Sequence, residues 1–395
     1  MELLVKNGRV IDYTSDFVGD IYINNGIIEE IGYNLQKDCD ILDAKGYVVT
    51  PAFVDLHSHF RDPGLEYKED IKTGSRAAVR GGYTTVNLMG NTKPVCSDMR
   101  TVNYVVNKAK EIGLVDAYQT VSITRDLQGK DISHLEKIDD SVKCISDDGK
   151  GVNSDRIMHD AMVVANKRNF VVMSHAEDEE ITPISTRLSE NMMTERDITL
   201  AKFTGCHLHL SHVSTKEAMK DIIEAKKEGF NITCEVTPHH IALTGENLYK
   251  VNPPIREAED VDYIINAIRK GYVDAIGTDH APHSKEDKEK GACGISGIET
   301  SFSVCYTKLV KEGNLTINKL SEIMSKNPAD ILNINKGKIS IGYEGDLAII
   351  DLDNKYTVDS QKFHSKGKNT PFNGMELYGT VIKTIRAGKI VFQNM

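Results

Sequence analysis

Thirteen histidines are spread unevenly along this 395-residue chain, and a few of them fall where chemistry would need them. His57 and His59 lie two apart in the strand-like run AFVDLHSH, His175 follows VVM, His212 follows LHLS, and Asp279 follows AIGT. Residues two apart on a strand share a face, so His57 and His59 project together. Neutral imidazole and carboxylate suit zinc and similar divalent ions, with positions left open for water at a catalytic site. Such an ion lowers the pKa of bound water from about 15.7 toward about 7 and polarises a carbonyl, supplying hydroxide and electrophile together. A lone strand histidine is ordinarily a hydrogen-bonded core residue, and that is the reading for His134, His207 and His209. Recurring at four strand ends, the same residue types point to a metal centre.

The run SVKCISDDGKG offers one more ligand in either of two forms. Asp148 sits in an acidic turn just past the strand, and Lys143 lies within the strand itself. A free lysine is a cation and cannot bridge two metals, whereas a lysine carbamate would present two oxygens as a carboxylate does. Charge favours Asp148.

The elements that would position these groups form two grammars. Residues 1–50 read as short alternating strands with an Asn25-Gly26 hairpin turn, and β segments return after Lys336. Between them lie strand candidates AFVDLHSH, TTVNLM, VDAYQTVSI, SVKCIS, FVVMSHA, CHLHLSHV, NITCEVTPHH and VDAIGTDHA, alternating with helical-period segments. That alternation predicts parallel strands with crossover helices. The expected fold is therefore α/β: a (β/α)8 TIM-type barrel over 51–335, with a small composite β-sandwich-like domain from 1–50 and 336–395. Active sites of such barrels form at the C-terminal strand ends, where His57, His59, His175, His212 and Asp279 all fall. Ser214 and Glu217 carry the signature of a capping box ahead of a helix.

Composition narrows the partners. With 48 Lys and Arg against 58 Asp and Glu, the net charge of −10 opposes broad attraction to nucleic acid or an anionic membrane surface. An anionic ligand must be held locally. Seven cysteines, odd in number and never C-x-x-C, exclude a disulfide scaffold and a cysteine zinc ribbon and predict reduced, mostly buried thiols in a cytoplasmic protein. The charged start MELLVKNGRVID does not read as a signal peptide, and no run approaches the roughly 18 apolar residues of a membrane span.

Eight segments then carry a resemblance. DLHSHFRDPG at 55–64, MGNTKP at 89–94, SDDGKG at 146–151, SHAED at 174–178, SHVSTKEA at 211–218, EVTPHH at 235–240, VNPPIR at 251–256 and GTDHAPH at 277–283 resemble the bacterial class I dihydroorotases of the amidohydrolase superfamily, in order over nearly the whole chain. The resemblance implies reversible cyclisation of N-carbamoyl-L-aspartate to L-dihydroorotate, the third step of pyrimidine synthesis, on a site with two zinc ions. By position, His57, His59 and Asp279 would hold one metal and His175 and His212 the other, with Asp148 shared; relatives that use a carboxylated lysine near this point keep Lys143 as the alternative. Asp279 would also be the catalytic proton carrier. Arg61, Asn91 and His283 would take the substrate carboxylate, and Asn252 with the backbone at Cys293-Gly294 the pyrimidine ring. Arg61, two residues past His59, is expected on the same side of an extended segment. The expected assembly is a homodimer, with aspartate carbamoyltransferase as the candidate protein partner.

Two departures stand out. The segment 176–211 is shorter than is usual in the class, so its loop and helix are expected to be trimmed, and Cys293 replaces a phenylalanine beside the site. The rival readings are another cyclic-amide hydrolase (dihydropyrimidinase, hydantoinase or allantoinase) and a non-catalytic scaffold barrel. The first is opposed by Arg61, which a ring without a carboxylate would leave unpaired. The second is opposed by a complete ligand set.

Overall fold

Eight short parallel strands carry the middle of the chain in the computed structural model, which describes residues 2–394. Five strands precede them: β1 Glu2–Ile11, β2 Asp16–Asn24, β3 Ile27–Gly32, β4 Asp40–Asp43 and β5 Val48–Pro51. The central eight are β6 Phe53–Ser58, β7 Tyr83–Leu88, β8 Asp116–Gln119, β9 Cys144–Ile145, β10 Val171–Ser174, β11 His207–Leu210, β12 Ile232–Val236 and β13 Ala275–Ile276. They pair in two parallel runs, β6-β7-β8 and β9 through β13. Parallel bridges from Ser58 to His280 and from Val121 to Ile145 close these runs into a barrel. Each expected barrel strand is present.

The strands are short because only their middles are laddered; helices between them bury the outer faces. The helix Ile71–Arg80 begins at a reciprocal cap between Asp70 and Thr73 and stops at Gly81. The helix Lys216–Lys227 is capped one residue later than expected. Thr215 accepts from the Ala218 N–H at 3.2 Å, because Ser214 is claimed by buried Glu190, which accepts both its hydroxyl (2.5 Å) and its N–H (2.8 Å). The 176–211 segment carries Thr186–Thr204, at 19 residues the longest helix among the described residues. None of these helices is long and apolar enough to cross a membrane.

Both chain ends join one further sheet. After the barrel come β14 Leu347–Thr357, β15 Glu376–Arg386 and β16 Lys389–Gln393, and the sheet runs β16-β15-β14-β5-β1-β2-β3, with β4 also on β1. Asn25 and Gly26 turn β2 into β3 with φ of 49° and 84°, the positive pair that a two-residue hairpin demands. Leu3, Val5, Ile21, Val49, Leu347 and Ile385 share a small core of their own.

An ionic knot ties this sheet to the barrel. The Lys336 ammonium, 4% exposed, lies 2.5 Å from Asp116 at the start of β8, 2.7 Å from Asp346 and 3.0 Å from Glu344, and Arg386 of β15 also binds Asp116. Burial opposes the charge on Asp116, but Arg386 and Lys336 outweigh it and hold its carboxyl below the usual range. Removing one partner of such a group strands the others, so Lys336→Met should cost about 3–5 kcal/mol. A depressed carboxylate adds stability above its unfolded pKa of about 3.9 and loses it as pH falls through the folded value. The gap in melting temperature between wild type and Lys336→Met should thus be full at pH 7 and narrow below about pH 4. A gap independent of pH would show that the knot contributes nothing electrostatic.

Candidate active site

One end of the barrel gathers the polar residues. His57 is the fifth residue of β6 and His59 lies just past it; Asp148 is three residues beyond β9, His175 directly follows β10, His212 is two beyond β11, and Asp279 is three beyond β13. None of the six is more than 7% exposed. Asp148 Oδ1 stands 3.2 Å from His57 Nε2, 3.4 Å from His175 Nδ1 and 3.7 Å from His212 Nε2, while Asp279 Oδ1 is 3.1 Å from His59 Nε2. Two sets, His57 with His59 and Asp279 and His57 with Asp148 and His212, keep their ligand atoms within 4.8 Å of one another.

The outward nitrogens show which atoms face inward. His57 Nδ1 is 2.8 Å from Glu235 Oε1, His59 Nδ1 is 3.0 Å from Asn91 Oδ1, and His175 Nε2 is 2.8 Å from Glu177 Oε2. Each of these oxygens accepts, so each imidazole donates outward and turns a lone pair to the centre, the arrangement metal-binding histidines use. His57 Nε2 is buried with no hydrogen-bond partner. His175 Nδ1 and His212 Nε2 face each other at 2.8 Å. Lone pairs this close to one another and to two carboxylates call for cations between them, and the donor set fits a pair of divalent ions. Burial disfavours a charge on Asp148 and Asp279, and both carboxyls are held below the usual range only by positive charge beside them, from protonated imidazoles or, where the imidazoles are neutral, from bound cations.

Lys143 is not in this group. It precedes β9, its carbonyl accepts from the N–H of Val171 at the start of β10, and it lines a separate cavity with Asp140, Lys167 and Arg168. Lys143 lies just before β9 and Asp148 just past it, so the two fall toward opposite mouths of the barrel.

A cavity of about 330 Å³ opens over the cluster. His59, Arg61, Asn91, Asn252, Asp279, His283, Cys293 and Gly294 all line it. Arg61 arrives differently from the expectation. Its φ is +60°, so the chain enters the left-handed region instead of staying extended, and the guanidinium reaches His283 Nε2 at 3.3 Å. Its Nε is buried without a partner. His212 and Asp279 also have positive φ, 36° and 43°; non-glycine residues in such conformations cost about 1–3 kcal/mol each and cluster at functional sites. Asn91 is engaged within the cluster, accepting from His59 and donating to Asp148 Oδ2 at 3.0 Å. Asn252 donates to Glu177 at 2.8 Å. At Gly294, φ +128°, a side chain would meet Ala281 at 2.7 Å, so the backbone there is bare by necessity.

Comparison with known proteins bears on this geometry. A model of the amidohydrolase family matches residues 48–391. The chain belongs to the amidohydrolase family. This amidohydrolase is 56% identical to a dihydroorotase of Clostridium botulinum (strain Eklund 17B / Type B) over the whole of both chains. It is 42% identical to a dihydroorotase of Thermoanaerobacter sp. (strain X514), over all of this chain and 98% of the other. Within the family it groups with the dihydroorotases. In fold it resembles an L-hydantoinase from Arthrobacter aurescens, with TM-score 0.91 and 27% identity over 99% of this chain and 96% of that one. A dihydropyrimidinase from Brevibacillus agri, at 23% identity and TM-score 0.89 over 100% of this chain and 95% of that one, shows the same fold.

Sequence reading of this amidohydrolase missed the carboxylates behind the cluster. Glu235, wholly buried in β12, binds His57 and lies 3.3 Å from His209. Glu177 anchors His175, and Asp55, also wholly buried, accepts from the Thr278 N–H at 2.9 Å and hydroxyl at 2.6 Å, fixing the turn before Asp279. An acid flanked by Cys234 and Val236 inside an apolar strand is the signal that could have revealed Glu235. The histidines read as core residues are hydrogen-bonded ones: His134 to the Ser122 carbonyl, and His207 and His209 to the Thr233 hydroxyl. All seven cysteines are free, five of them buried, Cys39 half-buried and Cys293 exposed.

Proposed function

We propose that the protein is a cytoplasmic zinc enzyme that interconverts N-carbamoyl-L-aspartate and L-dihydroorotate in pyrimidine synthesis, working as a homodimer with aspartate carbamoyltransferase as its candidate partner. The observation that carries this reading within the cyclic-amide hydrolases is Arg61. A half-buried guanidinium on the cavity wall, with its Nε buried and unpartnered and only a neutral imidazole in hydrogen-bond reach, is well placed for an anion. The dihydroorotate carboxylate supplies it, bidentately; dihydrouracil and hydantoin do not.

Two zinc ions would be held by His57, His59 and Asp279 on one side and His175 and His212 on the other, with Asp148 between them. Bound there, they would supply an acidified water and a polarised carbonyl at neutral pH. The remaining work belongs to the side chains. Arg61 and His283 orient the ring through its carboxylate, with Asn91 at their side, while Asn252 and the backbone at Cys293-Gly294 bracket the ring. Asp279, ionised at rest, takes the proton given up by the attacking water as its oxygen joins the ring carbonyl carbon. It returns that proton to the ring nitrogen as the C–N bond breaks. The same steps reversed close the ring.

Purified protein should hydrolyse L-dihydroorotate and hold two metal ions per chain. Chelation should abolish turnover and zinc restore it. Turnover of hydantoin or dihydrouracil with none of dihydroorotate would replace this reading with the related one.

A further inference from the structure

Beside the carboxylate subsite lies a second cation, after Arg61, that no motif assigns. Lys68 Nζ lies 3.4 Å from His283 Nδ1 and 3.3 Å from Asp287 Oδ2. On the other edge of the same ring, Arg61 Nη2 lies 3.3 Å from His283 Nε2. Two groups that can only donate thus flank the imidazole, while the Asp287 Oδ2 carboxylate oxygen stands 3.8 Å from Nδ1, beyond hydrogen-bond reach. Asp287 is itself fixed: the Tyr67 hydroxyl donates to its Oδ1 at 3.5 Å, and its N–H donates to Ser284 Oγ at 3.2 Å. The His283 N–H donates to Asn369 Oδ1 at 2.9 Å and holds the backbone in place.

A neutral imidazole has one donor and one acceptor. If Nδ1 accepts from the Lys68 ammonium, the proton resides on Nε2. That N–H and the Arg61 N–H are then two donors on the wall of the same cavity, a pair that suits an oxyanion. We propose that Lys68, seated by Asp287, is a positioning residue that fixes His283 as an Nε2–H donor and so builds the substrate-carboxylate subsite jointly with Arg61. Protonating the ring is no alternative, since burial and then Arg61 and Lys68 push its pKa down to about 3. The inference rests on the carboxylate substrate proposed above, but the tautomer it assigns can be read without substrate.

Two measurements on the metal-loaded protein test it. In ¹⁵N-histidine spectra, His283 should be the Nε2–H tautomer in wild type and shift toward Nδ1–H in Lys68→Met; the same tautomer in both would overturn the proposal. In kinetics, Lys68→Met should raise KM for dihydroorotate about tenfold or more, with kcat and metal content nearly unchanged. That factor should vanish when Lys68→Met is added to His283→Ala, and Lys68→Arg should recover part of the loss. A Lys68→Met penalty of equal size in the His283→Ala background would mean a merely structural role. If Lys68→Met folds poorly, Asp287→Asn should give the same shift more weakly. A wild type that turns over no dihydroorotate refutes the proposed function; a wild type that does, with an unmoved tautomer, refutes only the role of Lys68.

Discussion

Asp279→Asn should lower kcat for dihydroorotate by about 10²- to 10⁴-fold, the usual worth of a positioned acid–base group. In the proposed mechanism this side chain would serve both proton transfer and metal binding; it lies 3.1 Å from His59 Nε2 and on the wall of the cavity. Burial works against its charge, and the positive charge gathered beside it lowers its pKa, so at neutral pH it is ionised and ready to accept. Asparagine keeps an oxygen in place but neither accepts the proton nor carries the charge. Because Asp279 also belongs to a candidate ligand set, the rate must be measured beside the metal count. A hundredfold loss with both metals bound identifies the proton carrier. A variant within tenfold of wild type at full occupancy would remove Asp279 from that role.

Glu235→Gln should weaken metal binding about 10- to 100-fold, the typical effect of losing the partner behind a ligand histidine. Glu235 touches neither cavity nor substrate. It accepts from His57 Nδ1 at 2.8 Å and is wholly buried, with its carboxyl held low by His57 and His209 against the opposing effect of burial. Glutamine can present an N–H instead, which favours the tautomer whose Nε2 carries the proton, and a protonated nitrogen is no ligand. Competition with a chelator of known affinity reads the loss directly, without reference to turnover. Unchanged affinity would show that β6 alone holds His57 in register.

Much of the fold was legible because its signals are local. Eight apolar runs with polar tips named the barrel strands, and Asn25-Gly26 named a hairpin. The ligand-type residues were legible because a barrel brings its C-terminal strand ends together whatever lies between them. What could not be read depends on direction and depth. Lys143 and Asp148 are near neighbours in sequence, and only the course of β9 sends them to opposite mouths of the barrel. Ser214 carries a good capping signature, but Glu190, on a different helix, takes it away. Lys68 belongs to no motif, and its place beside His283 depends on the turn at Arg61 and the short helix Lys285–Glu289. Glu235, Glu177 and Asp55 act through other residues, so no motif built on reacting groups points to them.

The pairing of Val48–Pro51 with Leu347–Ile350 has a consequence for how the chain is made. The first strands leave the ribosome roughly 300 residues before their partner does. At about 5–20 residues per second, β5 waits some 15 to 60 s with one edge unpaired. A ribosome that stalls anywhere in the barrel leaves that edge exposed, free to recruit another nascent chain. Translation speed through the barrel therefore sets how long each new molecule stays open to aggregation, whatever the stability of the finished protein.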